Sequence, residues 1–353
     1  MSNKYDKIFE EFKRMDNDIQ SFERNLGTGA FGEVKEVKIK GRVYAGKLIE
    51  KEVNSDFNPE KVRGPHIIKI LKVLKKDIDD KHYELIIMEK ATLRDLGIMN
   101  SHLHKHNLLK LINEPFIEVV SDNFLRFYFK QIIQGLEILD RNELIHFDIK
   151  PENLLITTGI NLKISDFSFL KNVQKVKEKF KIPGGTDGYV TPEYFKNEPI
   201  DKTTAKKQDY FALGATIFLL KIGEQMLSYK KYDDNKLTED RIIDLLQRDV
   251  AHLKSYPSMN KDFIDFLCRL IQYVPEERPT FEEIYRNKWL NDNEEELLLL
   301  INSFSEGDEN KLMRELIKSD FLVEKKEELK KLNSKKSNFK FILNKKKNDD
   351  DDY

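Results

Sequence analysis

Cysteine is almost missing from this sequence of 353 residues, in which Cys268 is the only one. A single cysteine cannot form a disulfide within the chain, which is typical of proteins kept in a reducing compartment. Long hydrophobic runs are missing too, and the longest, 211–220, has about half of the ~20 residues that a membrane-spanning helix needs. Residues 1–20 are charged throughout and lack the apolar stretch of a signal peptide. The sequence therefore predicts an intracellular protein, cytoplasmic or nuclear, without a membrane span.

An excess of charge of one sign is also missing, because 61 lysines and arginines face 62 aspartates and glutamates. A balanced chain has no overall field that attracts nucleic acid, so we expect no nucleic-acid partner. Hydrophobic residues, at 39%, are numerous enough to build a core. The length allows one large domain or two to three ordinary ones.

The order of the predicted elements separates strands from helices. Short β-branched segments interrupted by turns occupy 22–50 and 67–90, and another short strand is predicted at 159–165. Helical patterns begin near residue 121 and return near 205–222, 239–253 and 260–273. Strands first and helices later predict an α+β fold, with a small β-rich lobe followed by a larger helical lobe.

The two ends of the chain have patterns of their own. The N-terminal extension, residues 1–19, predicts an amphipathic helix docked on the folded body, with an apolar stripe of Tyr5, Ile8, Phe9, Phe12 and Met15. The C-terminal tail, 291–353, is expected to be helical at first and disordered last, because 324–353 is mostly Lys, Glu, Asn and Asp. We expect the fold not to need this tail. Its apolar residues could nevertheless pack on the larger lobe; these are Leu297, Leu298, Leu300, Ile301, Leu312, Leu316 and Ile317.

Glycines recur in L-G-T-G-A-F-G-E-V at 26–34, where Gly27, Gly29 and Gly32 let backbone approach phosphate oxygens without a Cβ clash. This spacing alone is a weak signal, because plain hairpins and dinucleotide-binding turns share it. A dinucleotide site requires a helix directly after the glycines. Residues 34–39 instead alternate as a strand does, which favours a hairpin.

The segment V-Y-A-G-K at 43–47 places Ala45 and Lys47 on one face of a strand. A small alanine leaves room for a flat base, and the lysine can reach the α- and β-phosphates of a nucleotide. A lone strand lysine is usually only solvated. The glycine-rich hairpin just before it favours the functional interpretation.

The most informative motif is I-H-F-D-I-K-P-E-N at 145–153, followed by D-F-S at 166–168. The first part offers a possible base, a cation and an amide, at Asp148, Lys150 and Asn153. The second part adds another carboxylate. This set suits the transfer of a phosphoryl group held by a metal, because the loose, anionic transition state is stabilised by positioning and charge compensation.

Further blocks follow in order along the chain. They are L-I-I-M-E-K-A at 85–91, G-G-T-D-G-Y-V-T-P-E at 184–193, D-Y-F-A-L-G at 209–214, E-E-R-P-T at 276–280 and N-K-W-L at 287–290. Together with the motifs above, they make residues 20–290 resemble the eukaryotic-type protein kinase family, in its serine/threonine-specific branch. The resemblance implies the two-lobed kinase fold, with an N-lobe of about 20–89 and a C-lobe of about 92–290. It also implies ATP-dependent, Mg²⁺-assisted phosphorylation of serine and threonine hydroxyls on protein substrates.

The resemblance assigns a nucleotide site between the lobes. Met88 would gate the back of the pocket, and the backbones of Glu89 and Ala91 would bond the adenine edge. The full implied ATP-binding set is Leu26, Gly27, Thr28, Gly29, Ala30, Phe31, Gly32, Glu33, Val34, Ala45, Lys47, Met88, Glu89, Ala91 and Leu155. In the family, the strand lysine pairs with a glutamate of the following helix. Glu60, which follows the plausible helix start Asn58-Pro59, is favoured here over Glu52.

The resemblance also assigns catalysis to Asp148, Lys150 and Lys47. Asp148 would accept or orient the proton of the substrate hydroxyl, and Lys150 would neutralise charge on the transferring phosphate. Asn153 and Asp166 would be the Mg²⁺ ligands.

Four more residues would shape the substrate groove and support it. Thr186 would contact Asp148 and Lys150, which is a serine/threonine-kinase feature. Glu193 would form a buried ion pair with Arg278. Asp209 would cap the backbone of the catalytic loop.

The sequence departs from the family pattern at two positions. Phe147 replaces the arginine that normally clamps a phosphate on the activation segment, and Ser168 replaces the glycine after the metal-binding aspartate. The only serine and threonine residues between 166 and 193 are Ser168, Thr186 and Thr191, all inside structural motifs. The segment instead carries Lys171, Lys175, Lys177, Lys179 and Lys181. We therefore expect activity that needs no phosphate on this segment, which must be ordered by packing, by lysine–acid pairs or by a partner.

Two rival interpretations remain beside an active serine/threonine kinase. A non-catalytic pseudokinase scaffold is favoured by D-F-S and by the unassigned glutamate partner of Lys47. Against it, all five catalytic and metal-binding residues are present, namely Lys47, Asp148, Lys150, Asn153 and Asp166. A small-molecule kinase of related fold is disfavoured by the segment at 184–193, which would shape a peptide groove.

Overall fold

The computed structural model describes residues 4–29, 32–51, 60, 62–91, 95–97, 120–174, 176–227, 238–256, 259–292, 294–303 and 311. Its first lobe is a five-stranded antiparallel sheet with the strand order β1-β2-β3-β5-β4. The strands are β1 (Ile19–Gly29), β2 (Gly32–Ile39), β3 (Arg42–Lys51), β4 (Ile70–Ile78) and β5 (Lys81–Met88). The strand segments predicted at 22–50 and 67–90 are thus confirmed.

Helix α1 (Lys4–Met15) covers one face of this sheet. Its apolar stripe is buried at Ile8, Phe9 and Phe12, which pack against side chains of the sheet such as Leu48 and Leu85. Ion pairs fasten its polar flanks to the strands; they join Asp6 to Lys35, Glu11 to Lys76 and Asp16 to Lys72. The predicted amphipathic helix is therefore present and docked.

Helices dominate the second lobe. They are α2 (Asp122–Arg141), α3 (Pro192–Lys196), α4 (Lys202–Ile222), α5 (Glu239–Lys254), α6 (Lys261–Leu270), α7 (Phe281–Tyr285), α8 (Lys288–Asn291) and α9 (Glu294–Asn302). The sequence sets their starts, because a short polar side chain accepts a backbone N–H at the first turn of the long ones. These N-caps are Ser121, Asp201, Thr238 and Asn260.

Four short strands lie beside α2 and carry the loops of the site. Strand β6 (Leu144–Ile145) pairs with β9 (Lys171–Asn172), and β7 (Leu154–Ile156) pairs with β8 (Leu162–Ile164). The catalytic motif fills the connection from β6 to β7, and the D-F-S motif follows β8 directly. Pairing of these strands therefore brings the two motifs together.

The hydrophobic run at 211–220 lies in the middle of α4, where most of its side chains are buried in the larger lobe. Throughout the described ranges, no helix combines the length and the apolar character that crossing a membrane requires.

The core of the larger lobe continues past residue 290, as suggested for the apolar residues of the tail and in contrast to the expectation that the fold does not need the tail. Leu297, Leu300 and Ile301 of α9 are fully buried in this core, and Leu298 is partly buried. Near the start of α9, Glu294 pairs with the buried Lys130 of α2 at 3.0 Å. The first part of the tail thus belongs to the folded lobe. The other apolar residues named for the tail, Leu312, Leu316 and Ile317, lie outside the described residues.

Candidate active site

The backbone of the catalytic loop is fixed by one buried carboxylate. Asp209 of α4 accepts the backbone N–H groups of His146 and Phe147, each over 2.8 Å. Burial raises the pKa of Asp209, against the opposing effect of His146 and these two hydrogen bonds. Phe147 has a φ of +65°, a conformation that costs a bulky side chain free energy and persists where the surroundings enforce it. Asp209 therefore caps the loop as the resemblance implied.

The carboxylate of Asp148 is buried and held in one orientation. The Thr186 hydroxyl donates to its Oδ1 over 2.6 Å. The Lys150 ammonium lies 2.8 Å from its Oδ2 and 2.6 Å from the Thr186 hydroxyl. The amide of Asn153 donates to the same Oδ2 over 2.9 Å and to the Asp148 carbonyl over 2.8 Å. Four side chains implied by the resemblance thus meet in one hydrogen-bonded group.

Lys47 reaches across from the smaller lobe to Asp166. Its ammonium lies 2.5 Å from Oδ1 of Asp166, and both side chains are largely shielded from solvent. The Ser168 hydroxyl donates to the same oxygen over 2.6 Å. Burial would raise the pKa of Asp166, but the charge of Lys47 and the hydrogen bonds from Lys47 and Ser168 outweigh it and lower the pKa to about 2. Asp166 is therefore a carboxylate at any physiological pH.

The predicted pairing of Lys47 with Glu60 is not what the structure shows. An oxygen of Glu60 accepts the backbone N–H of Val73 in β4 over 2.5 Å, while Lys47 pairs with Asp166. The other candidate, Glu52, lies outside the described residues. Lys47 thus pairs with a carboxylate of the larger lobe, that of Asp166.

His146 links the two catalytic motifs, a role that the sequence analysis did not assign. Its ring is fully buried, with Nε2 at 2.9 Å from the Ser165 carbonyl and Nδ1 at 3.2 Å from the Asp148 backbone nitrogen. One imidazole therefore joins the backbone before Asp166 to the backbone at Asp148. His146 is visible in the sequence as part of the catalytic motif. Its position one residue before Phe147, however, does not reveal which two backbone segments its ring joins.

The oxygen donors near Asp148 fit a magnesium ion. Asp166 supplies a carboxylate, and the Asn153 amide nitrogen is used by Asp148, which leaves the amide oxygen as a donor. Mg²⁺ prefers such oxygen ligands and is commonly held by one or two protein groups together with substrate phosphates. In the described part of the chain, no cluster of three or more acidic, histidine or cysteine side chains forms a closed metal cage. The donor set is thus the open kind that shares its ion with a ligand.

An apolar cluster lies beside these residues, between the sheet and the larger lobe. Ala45 and Met88 are buried in it, and Val34, Leu155 and Phe167 are partly buried against them. The strand neighbour of Met88, Glu89, donates its backbone N–H to the Lys69 carbonyl over 2.9 Å. Four residues of the implied adenine site therefore belong to one apolar cluster.

The glycine-rich segment forms the hairpin predicted from its alternation. Strands β1 and β2 pair antiparallel, with Gly27 opposite Val34, Thr28 opposite Glu33 and Gly29 opposite Gly32. A Cβ on Gly32 would lie 1.8 Å from the Leu48 carbonyl oxygen, so glycine is required there. Leu26 is partly exposed on β1, whereas Ala30 and Phe31 lie outside the described residues. A strand after the glycines rules out the dinucleotide-binding turn.

The ion pair between Glu193 and Arg278 is present and buried. Arg278 lies 2.6 Å from Oε1 of Glu193 and donates to the Gln272 carbonyl over 2.9 Å. Burial lowers the pKa of Arg278, and Glu193 opposes that change. Gln208 extends the network by donating to Glu193 over 3.2 Å and contacting Thr191. The segment that ends at α3 is thereby tied to the base of the larger lobe.

Phe147 is buried where the family pattern has an arginine. It packs in an activation-segment cluster whose buried members are Ile145, Phe147, Val173, Ile200 and Ala205, with Phe169, Val176, Phe180 and Ile182 partly buried against them. The rings of Phe147 and Phe180 meet edge to face, with centroids 6.3 Å apart. Among the three sources of order considered for this segment, packing is the one observed.

Comparisons with known proteins agree with this geometry. A family model described as the protein kinase domain matches residues 21–290. The chain is 27% identical over 289 residues to a probable serine/threonine-protein kinase of Dictyostelium discoideum, covering 76% of this chain and 37% of the relative. It is 27% identical over 271 residues to a rhodopsin kinase of Rattus norvegicus, with coverages of 74% and 44%. It is 26% identical over 291 residues to the serine/threonine-protein kinase ATG1c of Arabidopsis thaliana, with coverages of 77% and 35%. This chain thus spans less than half the length of each of these relatives.

Proposed function

Because this chain belongs to the protein kinase family, we propose that it transfers the γ-phosphoryl group of ATP to serine and threonine hydroxyls of protein substrates, assisted by Mg²⁺. The observation that carries the proposal is the group around Asp148, in which Lys150 and Thr186 both lie within hydrogen-bond distance of the carboxylate. The serine/threonine kinases among its relatives support the class of acceptor.

The role of Asp148 follows from its surroundings. Its carboxylate is oriented from three sides, so an incoming hydroxyl that displaces the Thr186 contact meets a fixed acceptor for its proton. Lys150 stands next to this acceptor and would offset the negative charge on the transferring phosphate. Positioning and charge compensation are what a loose phosphoryl-transfer transition state requires.

The nucleotide base would lie at the apolar cluster, between Ala45 and Leu155. Its edge would meet the hinge backbone of Glu89 and Ala91, as the family resemblance implies. The Lys47 ammonium would then divide its contacts between the Asp166 carboxylate and the α- and β-phosphates. Asp166 and Asn153 would hold Mg²⁺, which supplies charge neutralisation at the β- and γ-phosphates when it is bound. Gly32 keeps the hairpin backbone free of a side chain at the point of its closest approach to β3.

The identity of the phosphorylated residue tests this proposal. The protein is incubated with γ-labelled ATP, Mg²⁺ and a degenerate peptide library, and the labelled product is hydrolysed in acid. We expect phosphoserine and phosphothreonine. Predominant phosphotyrosine, or label found only in a small molecule, would refute the proposal as stated.

Ser168 is expected to assist catalysis by orienting Asp166. Replacing it with alanine removes the hydrogen bond to Oδ1. Hydrogen bonds to charged groups contribute about 1.5–3 kcal/mol, so we expect kcat to fall by roughly tenfold or more. Ser168→Thr keeps the hydroxyl and is the matched control, for which kcat should stay within a few-fold of wild type. A full rate for Ser168→Ala would show that the hydroxyl has no part in positioning the metal ligand.

The activation segment is expected to work without a phosphate. Phe147 cannot pair with one, and the segment is already held by the apolar cluster around that ring. Protein treated with a phosphatase should therefore keep its rate of peptide phosphorylation. Phe147→Ala should instead loosen the segment, which faster amide exchange at residues 171–182 would report. A large fall in rate after dephosphorylation, traced to a site within 167–192, would overturn this expectation.

A further inference from the structure

The activation segment has two chemically distinct sides. From Val176 to Ile182 every second residue is a lysine, and the positions between them are apolar except for Glu178, which is exposed between Lys177 and Lys179. Val176, Phe180 and Ile182 pack against the cluster of Phe147, whereas Lys177, Lys179 and Lys181 are exposed. We refer to these three lysines as the lysine edge. The packing of one side thus forces three positive charges to the other side.

The lysine edge differs from nearby lysines because it is not neutralised. Lysines on the neighbouring helices α3 and α4 have acidic partners; these pairs are Lys196 with Glu239, Lys202 with Glu143 and Lys206 with Asp140. Over the stretches that the structure describes, no carboxylate forms an ion pair with Lys177, Lys179 or Lys181. Residues 171–190 carry five lysines and two acidic residues, although the whole chain has a net charge of −1. The positive charge is therefore local to this segment.

The lysine edge also lies close to the acceptor position. Lys181 is five residues before Thr186, whose hydroxyl contacts the Asp148 carboxylate. Five residues span at most about 18 Å of extended chain. Backbone hydrogen bonds between Phe180 and Ile200, of 2.9 and 2.8 Å, fix the start of this span. A peptide with its hydroxyl at Asp148 can therefore reach Lys181 with about five extended residues, and Lys179 and Lys177 lie two and four residues further along the segment.

We propose that the lysine edge selects protein substrates that carry aspartate, glutamate or phosphorylated side chains within about five residues of the phosphorylated hydroxyl. The proposal rests on the proposed kinase activity and adds the substrate class to it. Three unpaired ammonium groups on an ordered backbone complement a short run of carboxylates. A small positive patch suits an acidic peptide better than an extended anionic surface, because screening limits its reach to roughly 8–10 Å.

Matched peptides test this proposal. One peptide has a single serine among neutral residues, and two others place three aspartates before or after that serine. Exposed ion pairs each contribute modestly, so we expect kcat/KM for one acidic peptide to exceed that for the neutral peptide by about tenfold. In the triple variant Lys177→Gln, Lys179→Gln, Lys181→Gln, this ratio should fall close to one. It should also fall as salt rises.

A second triple variant controls for the loss of three charges. Lys38, Lys254 and Lys261 are exposed lysines on β2, α5 and α6, and replacing all three with glutamine should preserve the ratio. Charge reversal of the lysine edge to glutamate should move the preference toward a peptide with three lysines. A ratio near one in the wild type, or a ratio that survives in the first triple variant, would overturn the proposal.

Binding measured without turnover separates this proposal from the kinase activity itself. Fluorescence anisotropy gives the affinity of each labelled peptide, with the serine replaced by alanine. If no phosphoryl transfer is detected but the acidic peptide binds more tightly than the neutral one, and this difference depends on the three lysines, the kinase activity is refuted. The proposed recognition of acidic peptides would then still hold. Lysine-dependent binding to phosphatidylserine vesicles, with equal affinity for acidic and neutral peptides, would instead identify a membrane contact and refute the substrate proposal.

Discussion

Asp148→Asn is expected to lower the rate of phosphoryl transfer by about 10²–10⁴-fold, because it removes the positioned acceptor of the substrate proton. The asparagine also turns an N–H donor toward groups that now donate to the carboxylate, such as Thr186 and Lys150. Nucleotide binding should be retained, because the apolar cluster of Ala45 and Met88 and the side chain of Lys47 lie elsewhere in the site.

The measurement is kcat on the serine peptide, taken together with the dissociation constant of Mg²⁺·ATP. Asp240→Asn, an exposed change in the first turn of α5, is the matched control and should keep the wild-type rate. Lys47→Met and Asp166→Asn should also disable transfer, but through the phosphates and the metal, so both should weaken nucleotide binding as well. Near-wild-type turnover in Asp148→Asn would count against the assigned role.

Ending the chain after Asp292 is expected to lower the free energy of unfolding by about 5 kcal/mol or more. The cut removes Leu297, Leu300 and Ile301, and each large apolar side chain lost from a core costs roughly 2–5 kcal/mol. It also leaves the buried Lys130 without its partner Glu294. Denaturant unfolding of the two chains measures the difference.

Two comparisons make this second prediction specific to α9. A chain that ends after Ser303 keeps the helix and should be more stable than the chain that ends after Asp292. Leu300→Ala should cost more than Leu298→Ala, because Leu300 is fully buried and Leu298 only partly. Equal stability of the chain cut after Asp292 and the full chain would mean that α9 contributes nothing to the fold.

Much of the architecture could be predicted from local patterns. The strand segments, the helices after residue 121 and the amphipathic helix α1 all follow from hydrophobic periodicity. Most residues of the site belong to two short motifs separated by one β-hairpin. The proximity of Asp148, Lys150 and Asn153 could therefore be predicted from the sequence of a single loop. The ion pair of Glu193 with Arg278 required the family resemblance, because nothing local joins residues so far apart.

The role of α9 could not be predicted from its own sequence. The run of consecutive leucines at 297–300 shows no stripe, and its burial depends on the core of the larger lobe, which other segments of the chain supply. The end of the family resemblance at 290 led to the expectation that the fold does not need the tail, although apolar residues of the tail were named as able to pack on the larger lobe. The hydrophobic core extends beyond residue 290 because buried side chains of α9 are part of it.

The partner of Lys47 was also missed for a tertiary reason. Choosing between Glu52 and Glu60 assumed that the lysine meets a carboxylate of its own lobe, but its ammonium meets Asp166. The replacement of the family's arginine by Phe147 was visible in the sequence. The apolar cluster that holds the activation segment was not, because Ile145, Ile200 and Ala205 come from three separate segments.

The most direct test of the central claim compares nucleotide binding with phosphoryl transfer in the same purified protein. Binding of Mg²⁺·ATP is measured by calorimetry, and the transfer of label to a serine peptide is followed over time, with Asp148→Asn as the background. We predict saturable binding and a transfer rate at least about 100-fold above that background. Saturable binding with transfer no faster than in Asp148→Asn would contradict the account and identify a pseudokinase.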